Sequence, residues 1–391
     1  MYIRTITRKN KNKTVQYVQL AHNYRHPQTG QSQAKILYNF GRIDKLDVDA
    51  LKRLAASIMK FLKQHMPHAV PPILAQGQQL EFLGAKQLGC VWFLDELWRK
   101  LGIKQIIAKT CLTGEDYLSL ERLIFGLVAN SCLASKSALT LKQWTENKVF
   151  INGLPTIEKK LLHQAINFLH RAGNSLQKQV FTSALKNINL TSEKIYLTTT
   201  CLKIKTTAVP KNNHQPTRII IAYAFTKEGI PVYCRVWPEN TDPQTVLAAA
   251  QKELADWGLQ RPIRIATEEK ERVTETLNIA EYLSSRKQLS ALKRSLQQLK
   301  PTIDCNPFYQ SFEISIEIHV LLCWLGLLLI RTAELQLGQS WPQIKSKLEN
   351  LQLGHHRCEE GEFGLASPLS PAQAALFRKL DLNPPPRYFQ L

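Results

Sequence analysis

The sequence lacks a hydrophobic run long enough to cross a bilayer, and it also lacks paired-cysteine motifs. Its longest predominantly apolar run, Ile318–Ile330, has 13 residues and lies between Glu317 and Arg331. A membrane-spanning helix needs roughly 20 such residues, so the run predicts a buried core helix. The charged N-terminus is followed by no apolar stretch and is not expected to be a secretory signal. Eight scattered cysteines without a C-x-x-C pair predict reduced core thiols of a cytosolic protein.

A metal-binding cysteine and histidine framework is also missing. His355, His356 and Cys358 lie close together, but no second group with ligand spacing accompanies them. We therefore expect a solvated loop at these positions rather than a zinc site.

Acidic residues are scarce. The chain has 51 lysines and arginines against 31 acidic residues, a net charge of +20. Such an excess indicates an extended polyanion as partner, and duplex nucleic acid fits better than a membrane because no membrane segment is present.

The positive charge is concentrated in residues 1–45, where Asp44 is the sole acid. Two β-type runs, Thr14–Leu20 and Ala34–Phe40, flank a turn region at Pro27–Gly30 and predict a basic hairpin. We expect it to contact DNA phosphates, with sugar or backbone contacts from Tyr17, Tyr24 and Tyr38. The alternative is a solvated hairpin whose charges only confer solubility. The predicted DNA-binding residues are Arg4, Arg8, Lys9, Lys11, Lys13, Arg25, Lys35 and Arg42.

Residues 46–190 predict a helical domain. Asp47 is placed to cap a helix whose apolar residues recur at three- and four-residue steps. A proline-containing linker, HMPHAVPPIL, follows. Further helices are predicted at 91–101, 117–133, 137–146 and 157–187, and they contain no catalytic constellation.

From residue 191 the pattern changes to strands. The runs Lys194–Thr199, Arg218–Phe225 and Pro231–Trp237 are β-rich, and Asp242 and Pro243 then open a helix before a strand at Pro262–Thr267. Three strands, a helix and another strand is the order of an RNase H-like core, although the sheet pattern alone leaves several α/β folds open. The expected fold is mixed α/β, with a core at 191–340 and a C-terminal helix and tail at 341–391.

Several segments resemble bacterial insertion-sequence transposases of the DDE type, in the IS-four-like branch. The core segments are Tyr196–Thr200, His214–Ile221, Lys227–Pro231 and Trp237–Thr241. Similar segments outside the core are Phe40–Asp44, Leu94–Gly102, Glu317–Val320 and Leu382–Arg387.

This resemblance implies cut-and-paste DNA transposition on an RNase H-like sheet. In the family, two aspartates and a glutamate bind two Mg²⁺ ions that activate the nucleophile and stabilise the leaving oxygen. It also implies double-stranded DNA at transposon ends as partner and a cytoplasmic, nucleoid-associated protein with no membrane. It leaves a homodimer open, and it adds Lys300 to the DNA-binding residues because the family's lysine is retained there.

The chain departs from the family at all three metal-binding positions, which are Leu197, Thr267 and Lys293. The family's tyrosine and arginine upstream of the glutamate are replaced by Arg286 and Leu289. Hard divalent cations need oxygen ligands, mostly from carboxylates, so we expect no bound cofactor. The nearby acids are expected to be surface residues, a helix cap or a loop residue rather than substitute ligands; they are Glu193, Asp242, Glu268, Glu269 and Asp304.

The predicted core is also short. Only 26 positions separate Thr267 from Lys293, and they hold one helical run, Arg272–Leu283. The family carries a further core strand and a long insertion there, so the sheet is expected to expose an edge beside its fourth strand.

The sequence therefore predicts a transposase by descent whose metal site has been lost. The alternatives are a non-catalytic DNA-binding remnant or regulator that occupies transposon ends and, more remotely, a nuclease with a new Mg²⁺ site.

Overall fold

The computed structural model divides the chain into two compact units, one up to residue 73 and the other from residue 74 onward. The structure describes the following residues: 2–10, 13–25, 32–65, 80–111, 116–134, 140–188, 195–204, 217–259, 263–264, 312–358 and 361–391. The predicted linker after residue 65, the whole interval from Thr267 to Lys293, and the predicted helix within it lie outside these residues. The predicted domain boundaries near residues 45, 190 and 340 stay predictions.

The N-terminal unit contains a three-stranded antiparallel sheet where the sequence predicted a two-stranded hairpin. Its strands are β1 (Tyr2–Asn10), β2 (Lys13–Arg25) and β3 (Ser32–Arg42), with β2 in the centre. The strand β1 was not predicted, because charged residues lie among the β-branched residues whose alternation favours a strand.

A short 3₁₀ turn follows β3 and leads to α1 (Val48–His65). The predicted cap is confirmed, because the Ala50 amide donates a hydrogen bond of 2.8 Å to the Asp47 carboxylate.

Helices precede the central sheet in the second unit, largely where the sequence predicts them. They are α2 (Gly89–Lys100), α3 (Ile103–Thr110), α4 (Tyr117–Leu133), α5 (Leu141–Asn147) and α6 (Lys159–Asn187). Gly102 has a φ of 74°, a left-handed conformation that ends α2. The buried faces of these helices form one continuous apolar cluster with the following sheet.

The central sheet has the predicted order of three antiparallel strands, a helix and a fourth strand. Its elements are β5 (Ile195–Ile204), β6 (Thr217–Thr226), β7 (Pro231–Pro238), α7 (Pro243–Asp256) and β8 (Ile263–Arg264). The spatial order is β7-β6-β5-β8, and β8 is parallel to β5. Asp242 caps α7 through a 2.9 Å hydrogen bond from the Thr245 amide, as predicted.

The apolar run forms α8 (Phe312–Leu337), a core helix as predicted. Contrary to the expectation from its 13-residue apolar run, the segment Ile316–Leu337 is long and apolar enough to cross a membrane, but 72% of its apolar stretch is buried inside the protein. Its Ile316, Val320 and Cys323 pack against Tyr196 and other residues on one face of the central sheet.

The C-terminal region contains helices, as predicted, and also strands of a second sheet that the sequence did not predict. After α9 (Trp341–Leu348), β9 (Gln352–Cys358) and β10 (Gly361–Ala366) form a hairpin, and α10 (Pro371–Lys379) and β11 (Tyr388–Gln390) follow. The strand β4 (Glu81–Gln87) completes the order β11-β10-β9-β4. Its pairing with β9 joins residues far apart in sequence, and a local pattern does not reveal such pairing.

None of the six cysteines whose side chains are described forms a disulfide. Burial raises the pKa of Cys90, Cys132 and Cys234 to about 12.

We expect these three thiols to react with N-ethylmaleimide at pH 8 about a thousand-fold more slowly in the native chain than in denaturant. The thiolate is the reactive form, and a pKa raised by three units lowers its fraction by about that factor. Peptide mapping by mass spectrometry measures the rates, with the half-buried Cys111 as internal comparison. Equal reaction rates in the native and unfolded chains would contradict the burial of these three thiols.

Candidate nucleic-acid interface and core site

One face of the N-terminal sheet carries two of the predicted arginines. Arg4 lies opposite Gln19 and Arg8 opposite Val15 in the β1–β2 register, with Ile6 and Tyr17 paired between them. Paired residues project to the same face of a sheet. The Arg4 Nε donates a hydrogen bond of 3.2 Å to Gln19 Oε1, and the guanidinium of the exposed Arg8 lies 5.8 Å from the centre of the Tyr17 ring.

Arg42 shares this face, because β3 places it opposite Tyr17. Its guanidinium is already paired, with Nε and Nη2 donating hydrogen bonds of 2.9 and 2.6 Å to the two oxygens of Asp44. The hydrogen bond between them raises the pKa of Arg42 and lowers the pKa of Asp44. The one acid of the basic segment thus neutralises Arg42, and the sequence did not predict this pairing.

The opposite face carries a second group. Lys35 pairs with His22 and the exposed Tyr38 pairs with Leu20, so both lie on the face away from Arg4 and Arg8. The first of two irregularities in the β2–β3 register brings Tyr38 to this face, since it places Asn39 instead of Phe40 opposite Gln19 and Tyr38 instead of Asn39 opposite Leu20.

The remaining predicted DNA-binding residues are described in part or not at all. Lys9 is near the end of β1, and Lys13 and Arg25 are the first and last residues of β2, with only their backbones described. Lys11 and Lys300 lie outside the described residues.

The first predicted metal-site position, Leu197, is fully buried on β5 between its partners Ala224 on β6 and Arg264 on β8. Its side chain belongs to the same apolar cluster as Val246 and Leu247 of α7. Thr267 and Lys293 lie outside the described residues, as do Arg286, Leu289, Glu193, Glu268, Glu269 and Asp304.

The described part of this core does not fit a Mg²⁺ ion. The Leu197 side chain offers no oxygen, and a hard divalent cation requires oxygen ligands. Within the described ranges, no group of three or more histidines, cysteines or acids is placed to hold a metal.

Among the described residues, a large group of buried charges lies instead between α2 and α4. The Arg122 Nη1 and Nη2 each donate a hydrogen bond of 2.9 Å to Asp95, and Nε and Nη2 bond both oxygens of Glu121. Arg99 pairs with Asp95 and Glu96, and the Trp98 indole donates to Glu121 at 2.7 Å. Burial lowers the pKa of Arg122, but hydrogen bonds to Glu121 and Asp95 outweigh this effect and raise it.

The C-terminal segment forms further hydrogen bonds with this charge cluster and with α2. The backbone and side-chain amides of Asn383 donate to Glu96 at 3.2 and 3.0 Å, and the Trp92 indole donates to the Asn383 carbonyl. Each of the three buried carboxylates is therefore bonded within the protein, so the cluster holds α2, α4 and the C-terminus together. The sequence pattern of Leu94–Gly102 did not reveal this role.

The histidines and cysteine near residue 356 lie on β9, so the predicted loop is wrong. His355 Nε2 lies 2.7 Å from Glu362, whereas the ring of His356 stacks on Phe363. The Cys358 thiol approaches the Gly361 carbonyl at 3.5 Å. Alternation along the strand places His355 on the face opposite His356 and Cys358, an arrangement unsuited to a shared ion.

Comparison with protein families gives a match at the N-terminus. Residues 3–70 are similar to the N-terminal domain of IS1634 family transposases. The matched segment contains nearly all of the N-terminal sheet and the whole of α1. It supports descent from an insertion-sequence transposase. Comparisons with curated proteins and with solved structures found no match.

Proposed function

We propose that this chain is an insertion-sequence transposase by descent, of the DDE type and IS-four-like branch, that binds double-stranded DNA but has lost metal-dependent strand cleavage. The observation that carries the proposal is the similarity of residues 3–70 to a transposase N-terminal domain, because this segment bears Arg4, Arg8 and Tyr17 on one sheet face. With cleavage lost, the protein would act as a regulator that occupies transposon ends in the nucleoid.

The arginine face suits a phosphate backbone. Arg4 and Arg8 are four residues apart on one strand, which separates them by about 13 Å at 3.3 Å per residue. That spacing is close to the ~12 Å width of the DNA major groove, so the two guanidinium groups can reach phosphates on either side of it. The bond to Gln19 and the contact with Tyr17 hold both side chains on this face. Arg42 contributes less because Asp44 balances its charge.

The central sheet supports the proposed ancestry. Its order β7-β6-β5-β8, with α7 leading to a strand parallel to β5, is the arrangement expected of an RNase H-like core. The burial of Leu197 among apolar side chains supports the loss of the metal site, because this position would have to present a carboxylate to the ions.

Fluorescence anisotropy of a labelled duplex, titrated with the full chain at several salt concentrations, tests the binding. The double variant Arg4→Gln/Arg8→Gln is expected to bind the duplex about ten-fold or more weakly. The steepness of the plot of log K against log salt concentration should also fall by about 1.8, since each lost phosphate contact removes about 0.9. The matched control is Lys142→Gln/Lys252→Gln, which removes two exposed charges from the second unit. Equal losses in both double variants would contradict an interface on the N-terminal sheet.

Nicking of a supercoiled plasmid, with Mg²⁺ or Mn²⁺ and an EDTA control, tests the loss of cleavage. We expect no metal-dependent nicking by the folded chain. Nicking that persists through purification and disappears in Glu268→Gln or Glu269→Gln would identify those glutamates as ligands and overturn the proposal.

A further inference from the structure

The long helix α6 contains no acidic residue among its 29 residues. The other described helices of ten or more residues each contain at least one acid. Every exposed side chain of α6 is basic or carries a neutral hydrogen-bonding group, because apolar residues such as Phe168 and Leu176 face the interior. The outer side of this helix is therefore a polar surface that carries positive charge without an acid on the same helix.

Four exposed cations form a line along α6, which we call the basic stripe. At 100° per residue they fall within about 80° of the helix circumference, and at 1.5 Å per residue they extend over about 39 Å. One turn of B-DNA is about 34–36 Å long. The basic stripe therefore matches slightly more than one turn of a duplex. Its members are Lys160, Arg171, Lys178 and Lys186.

Two members of the basic stripe contact neutral groups. The Lys178 ammonium donates a hydrogen bond of 2.8 Å to the backbone carbonyl of Asp256. The Arg171 guanidinium lies 5.8 Å from the centre of the Phe168 ring on its own helix. These contacts orient the two side chains without balancing their charge. The acid Glu317 of α8 pairs at 3.7 Å with His170, which lies beside the stripe rather than within it.

The placement of the charges works against the stability of α6 itself. Lys159 and Lys160 begin the helix, where the positive end of the helix dipole disfavours cations. The helix also forgoes the pairs of opposite charge, four residues apart, that stabilise a solvated helix. An anionic partner along the outer side supplies the compensation that the helix lacks, whereas a purely solvated helix gains nothing from this pattern.

We propose that the basic stripe binds the phosphate backbone of duplex DNA, as a second contact that does not involve the N-terminal sheet. The inference rests on the proposed function, because that function makes duplex DNA the ligand. Lysine and arginine bond phosphate oxygens, and so do the serine, threonine, asparagine and glutamine side chains that lie between the cations. Such contacts carry no sequence information, so the stripe adds affinity for any duplex.

The outer side of α6 does not suit an anionic membrane. A helix that lies in a membrane surface inserts an apolar face among the lipids. The apolar residues of α6 are instead packed in the core of the second unit, where Phe168 and Leu176 are fully buried. The outer side thus has the chemistry of a phosphate-binding surface without an apolar anchor.

The first measurement is the anisotropy of a labelled duplex of about 40 base pairs, roughly four turns, titrated with the full chain at several salt concentrations. The double variant Lys160→Gln/Arg171→Gln is expected to bind about ten-fold more weakly, and the plot of log K against log salt concentration should become less steep by about 1.8. Glutamine is about as good a helix former as lysine and arginine, so helix propensity is unchanged. The matched control is Lys142→Gln/Arg378→Gln, which removes an exposed lysine and an exposed arginine outside α6 and is expected to leave both quantities unchanged.

Comparison with Arg4→Gln/Arg8→Gln separates this inference from the proposed function. If Arg4→Gln/Arg8→Gln weakens binding but Lys160→Gln/Arg171→Gln behaves like its control, the basic stripe is overturned and the N-terminal interface stands. If Lys160→Gln/Arg171→Gln weakens binding and Arg4→Gln/Arg8→Gln does not, the stripe stands and the N-terminal interface is contradicted. A natural chain that binds no duplex would overturn both.

The second measurement is acetylation of lysines by an N-hydroxysuccinimide ester, mapped by mass spectrometry with and without the duplex. We expect the duplex to slow the acetylation of Lys160 and Lys186 several-fold and to leave that of Lys142 unchanged. Equal rates with and without the duplex at all three lysines would overturn the inference. The same measurement with phosphatidylserine vesicles tests the other anionic surface, and protection by vesicles but not by the duplex would assign the stripe to a membrane instead.

Discussion

Replacing Arg122 by alanine is expected to lower the free energy of unfolding by about 3–5 kcal/mol, the usual cost of removing one partner of a buried ion pair. Arg122 is 6% exposed and bonds both Asp95 and Glu121, which are themselves buried. Without Arg122, Asp95 and Glu96 keep Arg99 as their cation, whereas Glu121 loses the one cation that pairs with it among the described residues. The uncompensated charge, rather than the lost contacts, dominates the effect.

Urea unfolding followed by circular dichroism measures this loss, with Lys142→Ala as the control. Lys142 forms an exposed 3.9 Å pair with Glu146, so its removal is expected to change the stability by less than about 0.5 kcal/mol.

The double variant Glu121→Gln/Arg122→Met separates charge from packing. It removes one charge of each sign, and we expect it to be less destabilised than Arg122→Ala. An equal or larger loss in the double variant would show that packing of the arginine, including its contact with Phe125, sets the stability instead.

Replacing Gly89 by alanine is expected to cost about 1–3 kcal/mol, the usual penalty of overpacking a close contact. A Cβ at Gly89 would lie 2.3 Å from the Leu348 carbonyl oxygen and 2.8 Å from the Leu351 Cβ. These atoms cannot move aside easily, because the Leu88 and Gly89 amides both bond the Leu351 carbonyl at 3.0 Å. The new methyl group must therefore push α2 away from the end of α9.

Gly173→Ala is the matched control, since Gly173 is also a helical glycine. A Cβ there would meet Leu321 Cδ2 at 3.2 Å, the far end of a flexible side chain. The better helix propensity of alanine, worth about 0.8–1 kcal/mol, offsets this contact, so we expect a neutral or stabilising change. Thermal unfolding of Gly89→Ala and Gly173→Ala measures the change in stability of each variant. Equal destabilisation would contradict the tight contact at Gly89.

The elements with strong local signals were predictable from sequence. The Asp242-Pro243 pair marks the beginning of α7, and β-branched runs mark β5, β6 and β7. The apolar run around Trp324 predicted the core helix α8. Each of these signals lies within a few residues of the structure that it determines.

The second sheet could not be predicted in the same way. Its strand β4 pairs with β9, and Gly84, Gly354 and Gly364 interrupt the strand pattern in β4, β9 and β10. Glycine weakens intrinsic strand preference, so these strands depend on partners that are distant in sequence. The polar faces of β9 and β10 therefore suggested a loop.

The sequence indicated which types of residue belong to the candidate sites, but it did not indicate how those residues are arranged. The basic positions of β1 to β3 were evident from composition, but the pairing of Arg42 with Asp44 and the separation of Lys35 from Arg8 depend on the sheet register. The buried cluster around Arg122 was missed because its partners come from α2, α4 and the C-terminal segment.

The closure of α2 by the C-terminus has a consequence for synthesis on the ribosome. Trp92 bonds the Asn383 carbonyl, 291 residues further along the chain, and the Lys100 ammonium donates to the Leu380 carbonyl. Because α2 is synthesised long before these partners, its apolar side stays available to chaperones and proteases until residues 380–383 have left the ribosome. A chain truncated before residue 380 would keep that surface exposed.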